Sequence, residues 1–320
     1  MKIAFLYAGQ GSQKVGMGKD LYEAYSAFRA VMDRAGEDAS IGFDVRKICF
    51  EGPDEMLNET KYTQPCMVAF AAGLTKVLEE AGIRPEAAAG LSLGEYSALF
   101  ASGVLEEDQV IRLVAFRGAA MQAAAEGRNT KMIAVLGLDA DTVIRGCEQV
   151  RAELAGTSEC VAEPANFNCP GQITVSGDAA AVDRAAEVLK EMGAKKCIPV
   201  KVSGPFHTSL MKPAGDALAE RFRGETFRDL QIPVYFNALG NTKSEEDTVP
   251  ALLEAQVQKS VYFEQTLRRM AEDGVDTFVE IGPGHTLTGF VGKTLPEAAK
   301  YSVETAEDVE NLIKTLKGEN

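Results

Sequence analysis

The sequence predicts an α/β protein whose central, mostly parallel sheet is interrupted by a small ferredoxin-like insert. Three observations carry that expectation. Short, nearly all-apolar runs recur, beginning with KIAFLYA at residues 2–8, as buried parallel strands require. Four such runs end in glycine or polar turns, at Gly9, Gly90, Asn237 and Gly282. Open α/β sheets bind their ligands beyond that end of the strand. Between residues 131 and 202 the texture changes to strand, helix, strand, strand, helix, strand. That βαββαβ order is the ferredoxin-like unit. The expected division is a core of residues 1–130 and 203–320 with an insert of residues 131–202.

Each element follows in chain order. The strand at 2–8 runs into Gly9-Gln10-Gly11-Ser12-Gln13, and a helix is expected over 18–35. A second helix opens at Gln64-Pro65, where proline suits a first turn, and runs to residue 81. A short strand at 87–91 leads into Ser92, then a helix over 95–102 stops at Gly103. Residues 106–125 read as a long helix. The insert holds strands at 131–138, 161–167, 172–176 and 196–202 and helices at 139–155 and 180–192. Beyond it come a strand at 233–237, helices at 248–258 and 261–273, and a strand at 276–281. The last dozen residues read as a helix with a polar tail.

Composition narrows the function classes. At 320 residues, 46% hydrophobic and 25% charged, the chain suits an ordinary globular protein with a full core. Its 33 Lys and Arg face 47 Asp and Glu, a net charge of −14. That balance argues against a nucleic-acid or anionic-membrane partner. No run approaches the roughly 18 apolar residues of a membrane span. The apolar start at residues 2–8 is too short for a signal peptide. Six cysteines without a C-x-x-C pair read as reduced thiols of a cytoplasmic protein. Two histidines without ligand spacing make a metal site unexpected.

The chemistry centres on Gly90-Leu91-Ser92-Leu93-Gly94. Ser92 and Glu95 have the spacing of a helix capping box, which needs no reactivity. A nucleophile elbow instead requires glycine two residues either side of the serine, because the strand-to-helix turn is too tight for side chains there. Both readings stand on the residues. A serine nucleophile needs a base, and the chain has two histidines. His207 follows the last strand of the insert at a domain junction, where clefts commonly lie. His285 opens a helix, where the dipole disfavours its cation and an anion could bind. His207 is the favoured base. No acid stands out to orient it, and a backbone carbonyl accepting from Nδ1 would suffice. The amide of Leu93, at a helix start, and Gln10, in a neighbouring strand-end loop, are candidate oxyanion donors. The alternative for the Gln10 loop, a phosphate turn, fails because Lys14 stands at the third glycine position.

Arg117 lies on the apolar stripe of the 106–125 helix with Val110, Leu113, Val114 and Met121. Arg112 lies off it and can pair with Asp108. A buried guanidinium requires an anion. That anion is either a buried carboxylate of the chain or a carboxylate of the substrate, gripped bidentately.

At this point the chain resembles the malonyl-CoA:acyl carrier protein transacylases and the related acyltransferase domains of fatty acid and polyketide synthesis. The resemblance runs nearly end to end. It rests on FLYAGQGSQ, YTQP, GLSLGEYSAL, AFRGAAM, ANFNCPGQ, SGPFHTSLMKPA and EIGPGHTLTGF. It implies a hydrolase-like core carrying the ferredoxin-like insert. It implies an acylated Ser92, His207 as base, Gln10 and the Leu93 amide as oxyanion hole, and Arg117 on the malonyl carboxylate. Gln256, in EAQVQKSVYF, matches the residue whose carbonyl orients the histidine. Asn166 and Phe206 fall in motifs that line the substrate, and Phe206 resembles the malonyl-selective members. The substrates implied are malonyl-CoA and phosphopantetheinylated acyl carrier protein, with no bound cofactor, in a cytoplasmic monomer. Leu91 departs from the histidine common before the serine.

Two other classes fit parts of the pattern. An esterase or thioesterase would use the same elbow and histidine, and a non-catalytic binding subunit would use neither. Family carriers are acidic, so a carrier meeting this acidic chain would need a local basic patch. Arg184, Lys190, Lys195 and Lys196 cluster in the insert, although a solvated charged face is the favoured reading of them.

Overall fold

The structure is a computed structural model that describes residues 1–202 and 204–318. Ser203, where the sequence reading places the return to the core, and residues 319–320 lie outside the described residues. The strands are β1 (Ile3–Tyr7), β2 (Ala87–Gly90), β3 (Thr130–Leu136), β4 (Ala162–Cys169), β5 (Gln172–Asp178), β6 (Lys196–Pro199), β7 (Val234–Phe236), β8 (Asn241–Thr242), β9 (Val261–Tyr262), β10 (Thr277–Ile281) and β11 (Ala299–Val303). The chain forms two compact units. One comprises Met1–Ala119, Thr226–Phe236 and Arg268–Asn320; the other comprises Ala120–Glu225 and Asn237–Leu267.

The first unit carries parallel strands in the order β11-β10-β1-β2-β7. All five residues of β1 are buried, which is why its sequence lacks alternation. Tyr7 pairs with Ile281 on one side and Gly90 on the other, so three strands end level. The loops after β1, β2 and β10 therefore leave from one edge of the sheet. Those loops hold Gln10, Ser92 and His285. The helix Gly94–Ala101 packs on β2 and β1, and the helix Thr60–Glu80 packs against it.

The second unit carries a sheet in the order β6-β3-β5-β4-β9. Its β3–β5, β3–β6 and β4–β5 pairs are antiparallel, and β9 joins β4 in parallel. The amphipathic helices Ala140–Glu153 and Ala179–Glu191 cover it, burying Val143, Cys147, Val182 and Leu189 against Ile133 and Val175. This unit is wider than residues 131–202. It also takes in the helix Lys212–Phe222, which the sequence reading does not register, and the helix Val249–Gln258.

Several elements differ from expectation for identifiable reasons. The second long helix starts at Thr60, and Pro65 lies inside it rather than in its first turn. Thr60, Thr63 and Gln64 are buried, so tertiary packing holds the turn ahead of the proline. Residues 18–35 form two helices, Lys19–Ala24 and Ser26–Glu37, broken where Tyr25 is extended. Val261 and Tyr262 are strand rather than helix, paired with Asn166 and Phe167 of β4. Tyr262 stacks on Phe167 at 5.2 Å, a long-range contact that overrides the local helical pattern. The last strand of the insert stops at Pro199 instead of residue 202, although the Val200 amide still donates to the Met132 carbonyl at 2.9 Å.

Candidate active site

Ser92 sits at φ 52, in the left-handed region. His207, at φ 62, is the one other non-glycine residue with positive φ among the described residues. Such backbone costs about 1–3 kcal/mol and concentrates at functional sites. Around Ser92 the chain turns too tightly for side chains. A Cβ on Gly90 would lie 1.9 Å from the Gly94 carbonyl carbon, and a Cβ on Gly94 would lie 2.1 Å from the Tyr7 carbonyl oxygen. No side chain caps the following helix at Leu93. Glu95, three residues after Ser92, is fully buried.

Arg117 is 1% exposed. Its Nη1 donates to Gln64 Oε1 at 2.9 Å and its Nη2 donates to Ser92 Oγ at 3.2 Å. Its Cζ lies 5.4 Å from the centre of the Tyr96 ring. Burial pushes the guanidinium pKa down, while Tyr96 and Glu95 favour its charged form. Burial pushes the Tyr96 phenol up, so the ring stays neutral. The helix Glu107–Ala125 thus delivers a cation to the hydroxyl of the elbow. Sequence reasoning missed Gln64, Glu95 and Tyr96 as its surroundings. Only the YTQP motif offered a signal for the first.

Gln10 Nε2 donates to Thr60 Oγ1 at 3.1 Å. Gln10 and Leu93 follow the adjacent parallel strands β1 and β2. Gln10, Leu91, Glu280 and Leu287 line a cavity of about 170 Å³. His285 is exposed and opens the helix Thr286–Thr294. The anion site expected there is already filled. The buried Glu280 carboxylate accepts from the amides of Leu287 at 2.9 Å and Thr288 at 2.7 Å. Burial raises the Glu280 pKa, and those two amides oppose the rise.

In the second unit His207 is buried, with Nδ1 2.8 Å from the carbonyl oxygen of Gln256. A carbonyl only accepts, so Nδ1 carries the proton and, in the neutral imidazole, Nε2 keeps its lone pair. The His207 amide donates to Val257 at 3.2 Å, fixing the backbone beside it. Gln256 is buried, and its side chain reaches Asn237 Oδ1 at 3.5 Å. Asn166 is buried on β4 and accepts from Thr174 Oγ1 at 2.7 Å. Phe206 is buried next to His207 in sequence. Two surface expectations change. Arg112 pairs with Asp38 at 2.6 Å, a partner the sequence reading did not name, and Arg184 is engaged by Glu153 and Glu187. Among the described residues, no group of three or more His, Cys, Asp or Glu side chains could hold a metal ion, and no helix is long and apolar enough to cross a membrane.

The arrangement invites comparison with known proteins. A family model described as the acyl transferase domain matches residues 4–319. A malonyl CoA-acyl carrier protein transacylase of Bacillus subtilis (strain 168) is 40% identical over 100% of this chain and 98% of its own length. A crystal structure of MCAT from Streptococcus pneumoniae has a TM-score of 0.91 at 42% identity, covering 98% of this chain and 100% of that one. A malonyl-transacylase solved in complex with its type II PKS acyl-carrier protein has a TM-score of 0.92 at 34% identity, again covering 98% and 100%. A strained serine elbow served by a buried arginine, together with matches of this length and identity, places the chain in the acyl transferase domain family.

Proposed function

We propose that the protein transfers a malonyl group from coenzyme A to the phosphopantetheine thiol of an acyl carrier protein, for fatty acid or polyketide synthesis, through an ester on Ser92. The single observation that carries this reading is the buried Arg117 guanidinium 3.2 Å from Ser92 Oγ. A cation beside the nucleophile suits an acyl group with a free carboxylate at its far end. His207 Nε2 takes the Ser92 proton as Oγ attacks the thioester carbonyl. The tetrahedral oxyanion is held by Gln10 and the Leu93 amide. The C–S bond then breaks, and coenzyme A leaves as a thiol with the proton from His207. The carrier thiol reverses the sequence: it gives its proton to His207, attacks the malonyl ester, and Ser92 recovers its hydrogen. Gln256 keeps the Nδ1 proton in place through its carbonyl, where hydrolases commonly use an acid. Asn166 and Phe206 line the substrate, and the reaction needs no bound cofactor.

The same reading assigns the first unit to a hydrolase-like core, supported by the parallel strand order and the elbow. It assigns residues 131–202 to a ferredoxin-like subdomain, supported by the order β6-β3-β5-β4. A monomer working in the cytoplasm fits the acidic composition and the six free cysteines.

The test is a set of acyl-CoA donors offered with and without holo-carrier. Mass spectrometry should find a malonyl adduct on Ser92 that persists in water and is discharged by the carrier thiol. Rapid loss of the adduct without a thiol would make the protein a thioesterase. No adduct would leave a non-catalytic binding protein.

A further inference from the structure

Contacts to Ser92, Gln64 and Tyr96 help hold the Arg117 guanidinium in the first unit, and they differ in what happens to them during turnover. The bond to Ser92 Oγ cannot persist unchanged, because that oxygen becomes an ester oxygen and the Nη2 group must turn to the incoming carboxylate. The bond to Gln64 Oε1 anchors only the other nitrogen. The Tyr96 ring supplies the third contact, at 5.4 Å from Cζ. An aromatic face attracts a cation without demanding one hydrogen-bond direction. It can therefore hold the guanidinium plane while Nη2 moves from the hydroxyl to a carboxylate. Tyr96 is fully buried and lies one helical turn beyond Ser92, on the helix Gly94–Ala101 that the elbow opens. A single short helix start thus fixes both the nucleophile and the surface on which the cation rests.

We infer that Tyr96 is a positioning residue for donor selectivity: its ring holds Arg117 in place to receive the free carboxylate of the acyl group. This rests on the reading of Arg117 as the carboxylate binder. Tyr96 touches neither carboxylate nor thioester and acts through Arg117. The face of the ring, not the hydroxyl, is the working part, so phenylalanine should serve nearly as well.

The experiment compares malonyl-CoA with acetyl-CoA as donors to holo-carrier in Tyr96→Phe, Tyr96→Leu, Arg117→Ala and the Tyr96→Leu/Arg117→Ala double variant. Tyr96→Phe should keep the malonyl-to-acetyl ratio of kcat/KM within about twofold of the parent. Tyr96→Leu should lower that ratio roughly tenfold, mainly through KM for malonyl-CoA, while acetyl transfer stays near the parent value. In the Arg117→Ala background the same change should leave the ratio where Arg117→Ala alone put it. A general loss of packing would instead lower both donors together. Should Tyr96→Leu fail to fold, judged by thermal unfolding, Tyr96→Met removes the ring with an unbranched side chain and carries the same expectation. An unchanged ratio in the ring-less variant overturns the inference, and so does an equal loss in Tyr96→Phe. An unchanged ratio in Arg117→Ala overturns the carboxylate reading itself, so the two failures are distinguishable.

Discussion

At residue 92 a serine is held in backbone that glycine would occupy more easily, and the strain is useful because it lifts the hydroxyl out of the helix that follows. The same strain recurs at His207, whose imidazole is oriented by a main-chain carbonyl rather than a carboxylate. A carbonyl fixes the tautomer without adding a buried negative charge. Arg117 is the third residue of consequence. On the proposed reading, removing it takes away a charge-assisted grip on the donor, while an acyl group without a carboxylate would never use that grip. Arg117→Ala should therefore lower kcat/KM for malonyl transfer by roughly a hundredfold or more, corresponding to about 3 kcal/mol. Acetyl transfer should survive or improve. Steady-state rates with the two donors decide the matter, and equal losses would contradict the assigned role.

At the scale of the element, the crossing of β2 into the helix Gly94–Ala101 is the most constrained feature. The contact facing Gly94 is the Tyr7 carbonyl at the end of β1, which cannot swing aside like a side-chain tip. Gly94→Ala should therefore cost at least about 3 kcal/mol and prevent acylation of Ser92. Gly289 is the control. It lies inside the helix Thr286–Thr294, and a Cβ there would meet nothing within 4 Å. Gly289→Ala should raise stability by about 0.4–1 kcal/mol, with acylation intact. Denaturant midpoints and the Ser92 adduct measure both. Similar behaviour of the two variants would show that the elbow is not sterically closed. Among elements, those with local signals were legible early. The glycine pair and the stripe of Arg117 are patterns within a few turns of chain. Strand β9 was not, because two residues paired to distant β4 look locally like the start of a helix.

For the whole molecule, the net charge of −14 sets the problem of meeting a carrier that the resemblance implies is itself acidic. The structure reduces the basic cluster of the second unit by committing Arg184 to Glu153 and Glu187. Lys196 stands exposed on β6, at the edge of its sheet. If it steers the carrier, Lys196→Glu should raise KM for holo-carrier several-fold at low salt, with KM for malonyl-CoA unchanged. The difference should shrink as salt is added. Carrier kinetics indifferent to the substitution at every ionic strength would assign Lys196 to solvent alone.

The sequence by itself determined the α/β class, the glycine-flanked serine and the arginine on an apolar face. These are written in short-range periodicity and in residue types that tolerate little else. Only the tertiary structure decided what surrounds them. It packed Thr60 to Gln64 well enough to start a helix ahead of Pro65, set Gln64 and Tyr96 against Arg117, and closed the helix end near His285 with Glu280. Each of those outcomes depends on groups far apart in the chain whose burial must be satisfied together, a condition no local pattern records.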